Sequence, residues 1–226
     1  MARMFGRDVD DHPPVLVIGL GRFGSSVADS LVAMGHEVLA VDSRPTVVQS
    51  LADRYTHLVE ADSTNEAAMR QIGAADFERA VVGIGTEIEA SVLTVAVLTD
   101  LAVKEIWAKA LTRAHGRILE RIGAHHVVYP EHAMGERVAH LVTGKMIDFI
   151  EFDDGFAIVK TRAPQECLDQ TLAEAALRSR YGVTVVGVKS PGRDFTYARP
   201  ETVIRAGDLL IVSGSTDKVE RFAAVT

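Results

Sequence analysis

The sequence predicts an α/β protein: a Rossmann-like, doubly wound parallel sheet followed by a small C-terminal α+β domain. Three observations carry this expectation. Short β-branched runs alternate with helix-like segments from residue 15 to about residue 148. A glycine-rich turn, Gly19-Leu20-Gly21-Arg22-Phe23-Gly24, joins the first apolar run to the first helical segment. Beyond about residue 149 the alternation gives way to hairpin-like patterning that continues to the end of the chain.

In chain order, residues 1–13 are polar, run into Pro13-Pro14 and are expected to form a flexible lead-in. Strands are expected at 15–18, 37–41, 56–59, 80–84, 104–108 and 125–129. Helices should follow them near 22–34, 45–53, 64–72, 87–101, 112–122 and 131–148. Six strand–helix units in this order imply a parallel sheet with helices on both faces. Gly35, Gly73 and Gly123 stand where helices should stop. The last helix carries Met134, Val138, Leu141 and Val142, with Met146 and Phe149 extending the stripe. Such a stripe packs either into the chain's own core or against another subunit. The expected division is a nucleotide-binding domain over 14–148 and a smaller domain over 149–226. In the latter, 149–152 and 156–161 flank Asp153-Asp154-Gly155, a hairpin signal. A helix near 171–180, strands at 183–189 and 209–213, a Pro- and Gly-rich loop and a terminal helix complete it.

Composition narrows the function classes. Lys and Arg total 24 against 31 Asp and Glu, a net charge of −7. Affinity for nucleic acid depends on cations that displace condensed counterions, so double-stranded DNA or RNA is not expected as the main partner. The single cysteine, Cys167, excludes a disulfide framework and a Cys-rich zinc site, and fits a reducing compartment. No stretch has the length and apolarity of a signal peptide or membrane span. A soluble, cytoplasmic protein is expected.

The glycine turn follows an apolar strand, opens a helix and is followed by Asp42 at the end of the next strand. In that context the glycines let phosphate oxygens approach the backbone, and the helix N-terminus supplies unpaired N–H donors. Asp42, an acceptor when ionised, suits ribose hydroxyls. Arg22 adds bidentate donors for phosphate. Asp62-Ser63-Thr64 offers an adenine-side edge, or else Ser63 or Thr64 caps the next helix. Arg44 would tolerate a 2′-phosphate that Asp42 opposes. An adenine nucleotide or dinucleotide is the expected ligand.

Catalytic chemistry is harder to find. All eight histidines lie in the first 140 residues, leaving the C-terminal domain without one. His125, His126, Glu131, His132 and Glu136 have a superficial likeness to metal ligands. Yet the first two should point to opposite faces of a strand, and His132 and Glu136 have ordinary i, i+4 helical spacing. Glu87 and Glu89 read as first-turn carboxylates favoured by a helix dipole. No catalytic constellation emerges, so a binding protein is favoured over an NAD(P)-dependent oxidoreductase or a stand-alone nucleotide sensor.

The runs VLVIGLGRFGSSVADSLVAMGHEVLAVD, IGTEIEASVLTVAVLTDL, IWAKA and RIGAHHVVYPEHAMGERVA resemble the RCK (KTN) domain, the cytosolic nucleotide-binding module of Trk and Ktr potassium uptake systems. LRSRYGVTVVGVK and IRAGDLLIVSG are similar to that family's TrkA-C subdomain. The likeness is greatest to the KtrA type, with one such domain per chain. It implies a non-enzymatic subunit whose dimers build an octameric ring beneath a separately encoded membrane channel, gated by ATP against ADP, with NAD(H) as an alternative ligand. It further implies a cofactor-contacting set of Gly19, Gly21, Arg22, Phe23, Gly24, Asp42, Ser43, Asp62, Ser63, Ile84, Gly85, Glu87 and Lys109. Glu131 would place Mg2+ or another cation near the phosphates. The resemblance also raises cyclic di-AMP as a ligand, which some members of the family bind between paired C-terminal subdomains through apolar residues and an arginine. Here Leu172, Ala173 and Arg178 occupy the matching positions, with reduced apolar bulk.

Overall fold

Runs too apolar to face water on either side become central strands. A computed structural model of the chain describes residues 12–142, 146–152 and 154–226. It divides between Glu131 and His132 into two compact units. The first holds six strands: β1 (Val15–Ile18), β2 (Val38–Asp42), β3 (His57–Glu60), β4 (Arg79–Val82), β5 (Glu105–Lys109) and β6 (His126–Val128). All pair in parallel, in the order β3-β2-β1-β4-β5-β6. The helices between them are α1 (Arg22–Ala33), α2 (Pro45–Ser50), α3 (Glu66–Gln71), α4 (Ile88–Asp100) and α5 (Arg113–Arg121); α6 (Pro130–Val142) follows β6.

Alternation along β1 builds the two faces. Leu16 and Ile18 enter one core cluster with Leu39, Leu98, Ile106 and Leu119, while Val15 and Val17 enter another with Val38, Ala28 and Tyr55. The strand order reverses between β1 and β4, so the loops after these two strands diverge and leave a crevice at their carboxyl ends. Gly35, Gly73 and Gly123 all take positive φ at or just beyond helix ends, as expected.

His115 on α5 is 1% exposed, and neither ring nitrogen has a hydrogen-bond partner. Burial holds its pKa below the ordinary imidazole value. The unfolded chain therefore binds the proton more readily, and this histidine's contribution to stability is complete above about pH 6.5 and lost as pH falls below it. The melting temperature is expected to decline over that acidic range, and His115→Leu to flatten part of the decline. An unchanged slope would refute this assignment.

The second unit contains β7 (Asp148–Phe152), β8 (Phe156–Arg162), α7 (Leu172–Ala175), α8 (Leu177–Tyr181), β9 (Thr184–Lys189), β10 (Thr196–Tyr197), β11 (Leu209–Ser215) and α9 (Thr216–Ala223). Its antiparallel sheet runs β10-β9-β11-β8-β7. Inward residues of β8 and β11 alternate with more exposed ones, and Val159, Leu210, Val212 and Phe222 lie in the core.

Several expectations are corrected. The helix expected over 131–148 is described as far as Val142; 143–145 lie outside the described residues, and at Met146 the chain is no longer helical. Met146 and Phe149 belong to the second unit's core, Phe149 from β7, so their helical spacing was coincidental. No residue of α6 is buried, and Met134, Val138 and Val142 are 54%, 45% and 78% exposed. These three belong to none of the core clusters within the two units. The helix expected over 171–180 breaks at Ala176, whose φ is +48°. The loop after β9 contains the unforeseen β10. Of the hairpin turn, Asp153 lies outside the described residues, as do residues 1–11 of the lead-in.

Candidate functional site

The chain leaves β1 through Gly19, which has φ +85°, a conformation that side chains disfavour. It enters α1 at Arg22, with Gly21 as N-cap and no side chain capping the helix. No acidic residue occupies the first turn. The first N–H groups of α1 thus have neither an intrahelical acceptor nor a side-chain cap, which suits an anion. Gly24 packs the helix onto the turn: a Cβ there would lie 2.0 Å from the Gly19 carbonyl oxygen. At Gly21 a Cβ would meet nothing within 4 Å, so this glycine borders open space.

Gly83, at the end of β4, supports the same turn, since its Cβ would approach Gly19 O to 2.8 Å. It was not singled out in the sequence, although a glycine ending a β-branched strand was the available signal. Ile84 lies against Gly19 and packs on the core. Gly85 faces Lys109, whose Cε and Nζ would be 3.1 and 3.4 Å from an added Cβ.

Lys109 ends β5 and is 9% exposed. Its ammonium lies 5.7 Å from the Phe23 ring centroid and donates to Glu131 Oε1 at 2.5 Å. That hydrogen bond is the main reason the Glu131 carboxyl titrates below its ordinary range, with Arg22 adding a smaller Coulombic effect. The fold thus gathers Arg22, Phe23, Gly85, Lys109 and Glu131 near the carboxyl ends of β1, β4 and β5.

On the other side of β1, Asp42 ends β2 with 3% of its side chain exposed. Burial alone would push its carboxyl up. Hydrogen bonds from Arg44 and from the Leu20 N–H outweigh that and bring it below the usual value. The turn's backbone is therefore tied directly to the acid. Ser43 is exposed beside it.

Among the remaining candidates, Ser63 and Asp62 have partners within the fold. Ser63 is buried with its hydroxyl 2.7 Å from Thr94 Oγ1. Asp62 accepts from the N–H and hydroxyl of Thr64, whose bonds lower its pKa. The expected capping by Ser63 or Thr64 is corrected: Asn65 caps α3, accepting from the Ala68 N–H. Glu87 stands at the N-cap of α4 without a side-chain cap bond, so only Glu89 is a first-turn carboxylate. His126 stacks on Trp107, His125 Nδ1 accepts from the Ile106 N–H, and His132 pairs with Glu136 at 3.3 Å. Among the described residues no group of three or more His, Cys, Asp and Glu side chains could hold a metal ion. In the second unit, Leu172, Ala173 and Arg178 line one cavity of about 230 Å³. Burial pushes the Cys167 thiol up, which disfavours the reactive thiolate.

The TrkA-N domain matches residues 15–130 and the TrkA-C domain residues 156–225. The chain is 36% identical over 207 residues to the Ktr system potassium uptake protein A of Bacillus subtilis (strain 168), spanning 91% of this chain and 93% of that protein. Among solved structures, the GsuK RCK domain superposes with a TM-score of 0.66 at 18% identity, over 96% of this chain and 48% of that one. The GsuK channel bound to NAD gives 0.62 at 18% identity, over 92% and 38%. This chain therefore spans half or less of those two chains, and at such identities they establish a shared fold.

Proposed function

The chain belongs to the family that joins a TrkA-N domain to a TrkA-C domain, and on that premise we propose that it is a nucleotide-controlled regulatory subunit of a potassium uptake system. The observation that carries the proposal is identity sustained through both domains with a Ktr potassium uptake protein. The uncapped glycine turn, with Asp42 to one side and Lys109 to the other, supports nucleotide binding. Ligand binding, and not turnover, is the output.

In this proposal the ligand is ATP or ADP, with NAD(H) as the alternative suggested by the NAD-bound channel of shared fold. The phosphates lie at the start of α1, and Asp42 takes the ribose. Arg22 and a Mg2+ or other cation beside Glu131 respond to the terminal phosphate. A cation there would offset triphosphate charge, as the exposed Glu131 carboxylate permits. A ligand shifts a gate only through differential affinity for two states, and the γ-phosphate supplies the difference. Copies assemble as dimers into an octameric ring, with the exposed α6 face of Met134, Val138 and Val142 available to a second copy. The pore is a separate membrane polypeptide, and this chain acts at its cytoplasmic face. Cyclic di-AMP, if bound, would take the cavity beside Leu172, Ala173 and Arg178, completed by another copy.

Two experiments test this. Native mass spectrometry of the purified chain is expected to show an eight-copy assembly and co-purifying adenine nucleotide. A nucleotide-free monomer that also binds none on addition would defeat the proposal. Calorimetry of Arg22→Ala is expected to show ATP weakened by about tenfold and ADP by no more than about threefold, as for loss of a charge-assisted phosphate contact. Equal losses would remove Arg22 from phosphate sensing.

A further inference from the structure

The carboxylate assigned to the ribose has no vacant acceptor position. An ionised carboxylate offers about four lone-pair sites. Four donors fill those of Asp42. Oδ2 accepts from the Leu20 N–H at 2.7 Å and from an Arg44 terminal nitrogen at 2.9 Å. Oδ1 accepts from the Arg44 N–H and from Arg44 Nε, both at 2.9 Å. A ribose hydroxyl that donates to Asp42 must therefore displace something.

The four donors differ in how readily they can leave. Leu20 N–H belongs to the glycine turn, and Arg44 N–H to the residue that precedes Pro45 and opens α2. Both are fixed by the backbone. The guanidinium is different, because the Arg44 side chain is 55% exposed while that of Asp42 is 3% exposed. The guanidinium's two hydrogen bonds to a buried carboxylate make the pair a firm one. Of the four donors, however, only this half-exposed group can swing into water without moving the backbone, and a ribose hydroxyl that takes its place keeps the carboxylate hydrogen-bonded. Glu87 adds a small electrostatic attraction on Arg44 beside that of Asp42.

We propose that Arg44 is a specificity-determining latch: its guanidinium holds the two acceptor positions that ribose hydroxyls need, and nucleotide affinity reflects the competition between sugar and arginine for Asp42. This rests on the nucleotide-binding reading given above. Backbone donors keep the carboxylate oriented whether the latch is closed or open. The sugar, and not the base or phosphates, is the part of the ligand that the latch discriminates.

The test compares ADP with 2′,3′-dideoxy-ADP, which lacks the competing hydroxyls, by calorimetry on the full chain and on Arg44→Ala. Loss of a cation near the phosphates affects both ligands alike and cancels in their affinity ratio. The latch predicts that the ratio, ADP over dideoxy-ADP, widens by about threefold to tenfold in the variant, as expected for releasing a charge-assisted but half-exposed pair. Arg44→Gln, which keeps the stem, is expected to move the ratio the same way, and equal melting temperatures would exclude a folding effect. An unchanged or narrowed ratio in variants that still bind ADP overturns the latch and leaves the nucleotide site standing. Failure of ADP, ATP and NAD to bind either the natural chain or the variants overturns the site itself, and the latch with it.

Discussion

Gly24→Ala is expected to abolish nucleotide binding and to destabilise the first unit by about 2–4 kcal/mol, the range of severe overpacking against an unyielding neighbour. The added Cβ would fall 2.0 Å from the Gly19 carbonyl oxygen, which is backbone and cannot rotate away. Either α1 moves off the turn or the turn opens, and both displace the N–H groups that face the ligand. Gly21→Ala separates the two roles of the motif. Its Cβ would meet no protein atom within 4 Å, and its φ of −70° suits alanine. Its melting temperature should match the unchanged chain, while the methyl group enters space that a phosphate would occupy. Thermal denaturation and calorimetry on both variants check this. Full binding by Gly24→Ala, or a stability loss in Gly21→Ala as large as its neighbour's, would contradict the geometry.

Phe222→Ala is expected to cost about 3–5 kcal/mol in the second unit, as for truncation of a fully buried aromatic. Phe222 is 0% exposed, and its ring packs edge-on against Tyr181 at 5.2 Å. It lies in a core cluster made wholly of residues from 146 onward, whereas the clusters around the parallel sheet end at residue 129. Hydrogen exchange should accordingly show lost protection over β8, β11 and α9 and retained protection over β1, β2 and β4. ADP affinity should stay within about twofold, because no residue proposed to bind it belongs to the damaged core. Protection lost evenly across both units would refute independent cores.

The parallel sheet was legible because its strands are short, β-branched and bounded by helical segments. Val15–Ile18 appears where expected, and the other five strands lie within two residues of their expected bounds. The glycine turn and Asp42 were legible for the same reason, since their meaning depends on following strands. The end of α6 was not. Met146 and Phe149 continue a helical spacing by accident, and period alone cannot show that the chain has already left the helix. The break at Ala176 was hidden because alanine is the residue most favourable to helix. β10 has two residues, too few for any period. At the site, the sequence placed Arg44 beside Asp42 but could not show three of its donors on one carboxylate, a result of where α2 begins and which way the arginine turns.

Ala176 joins α7 to α8 with a φ of +48°. A non-glycine residue in the left-handed region costs about 1 kcal/mol or more, and persists where its surroundings over-determine it. Here it fixes the angle between α7, which carries Leu172 and Ala173, and α8, which carries Leu177 and Arg178. All four line the same cavity. A glycine would relieve the strain but enlarge the unfolded ensemble and loosen this joint. The alanine makes the corner stiff, so the side chains of α7 and α8 that wall the cavity are held at a fixed spacing by the backbone itself.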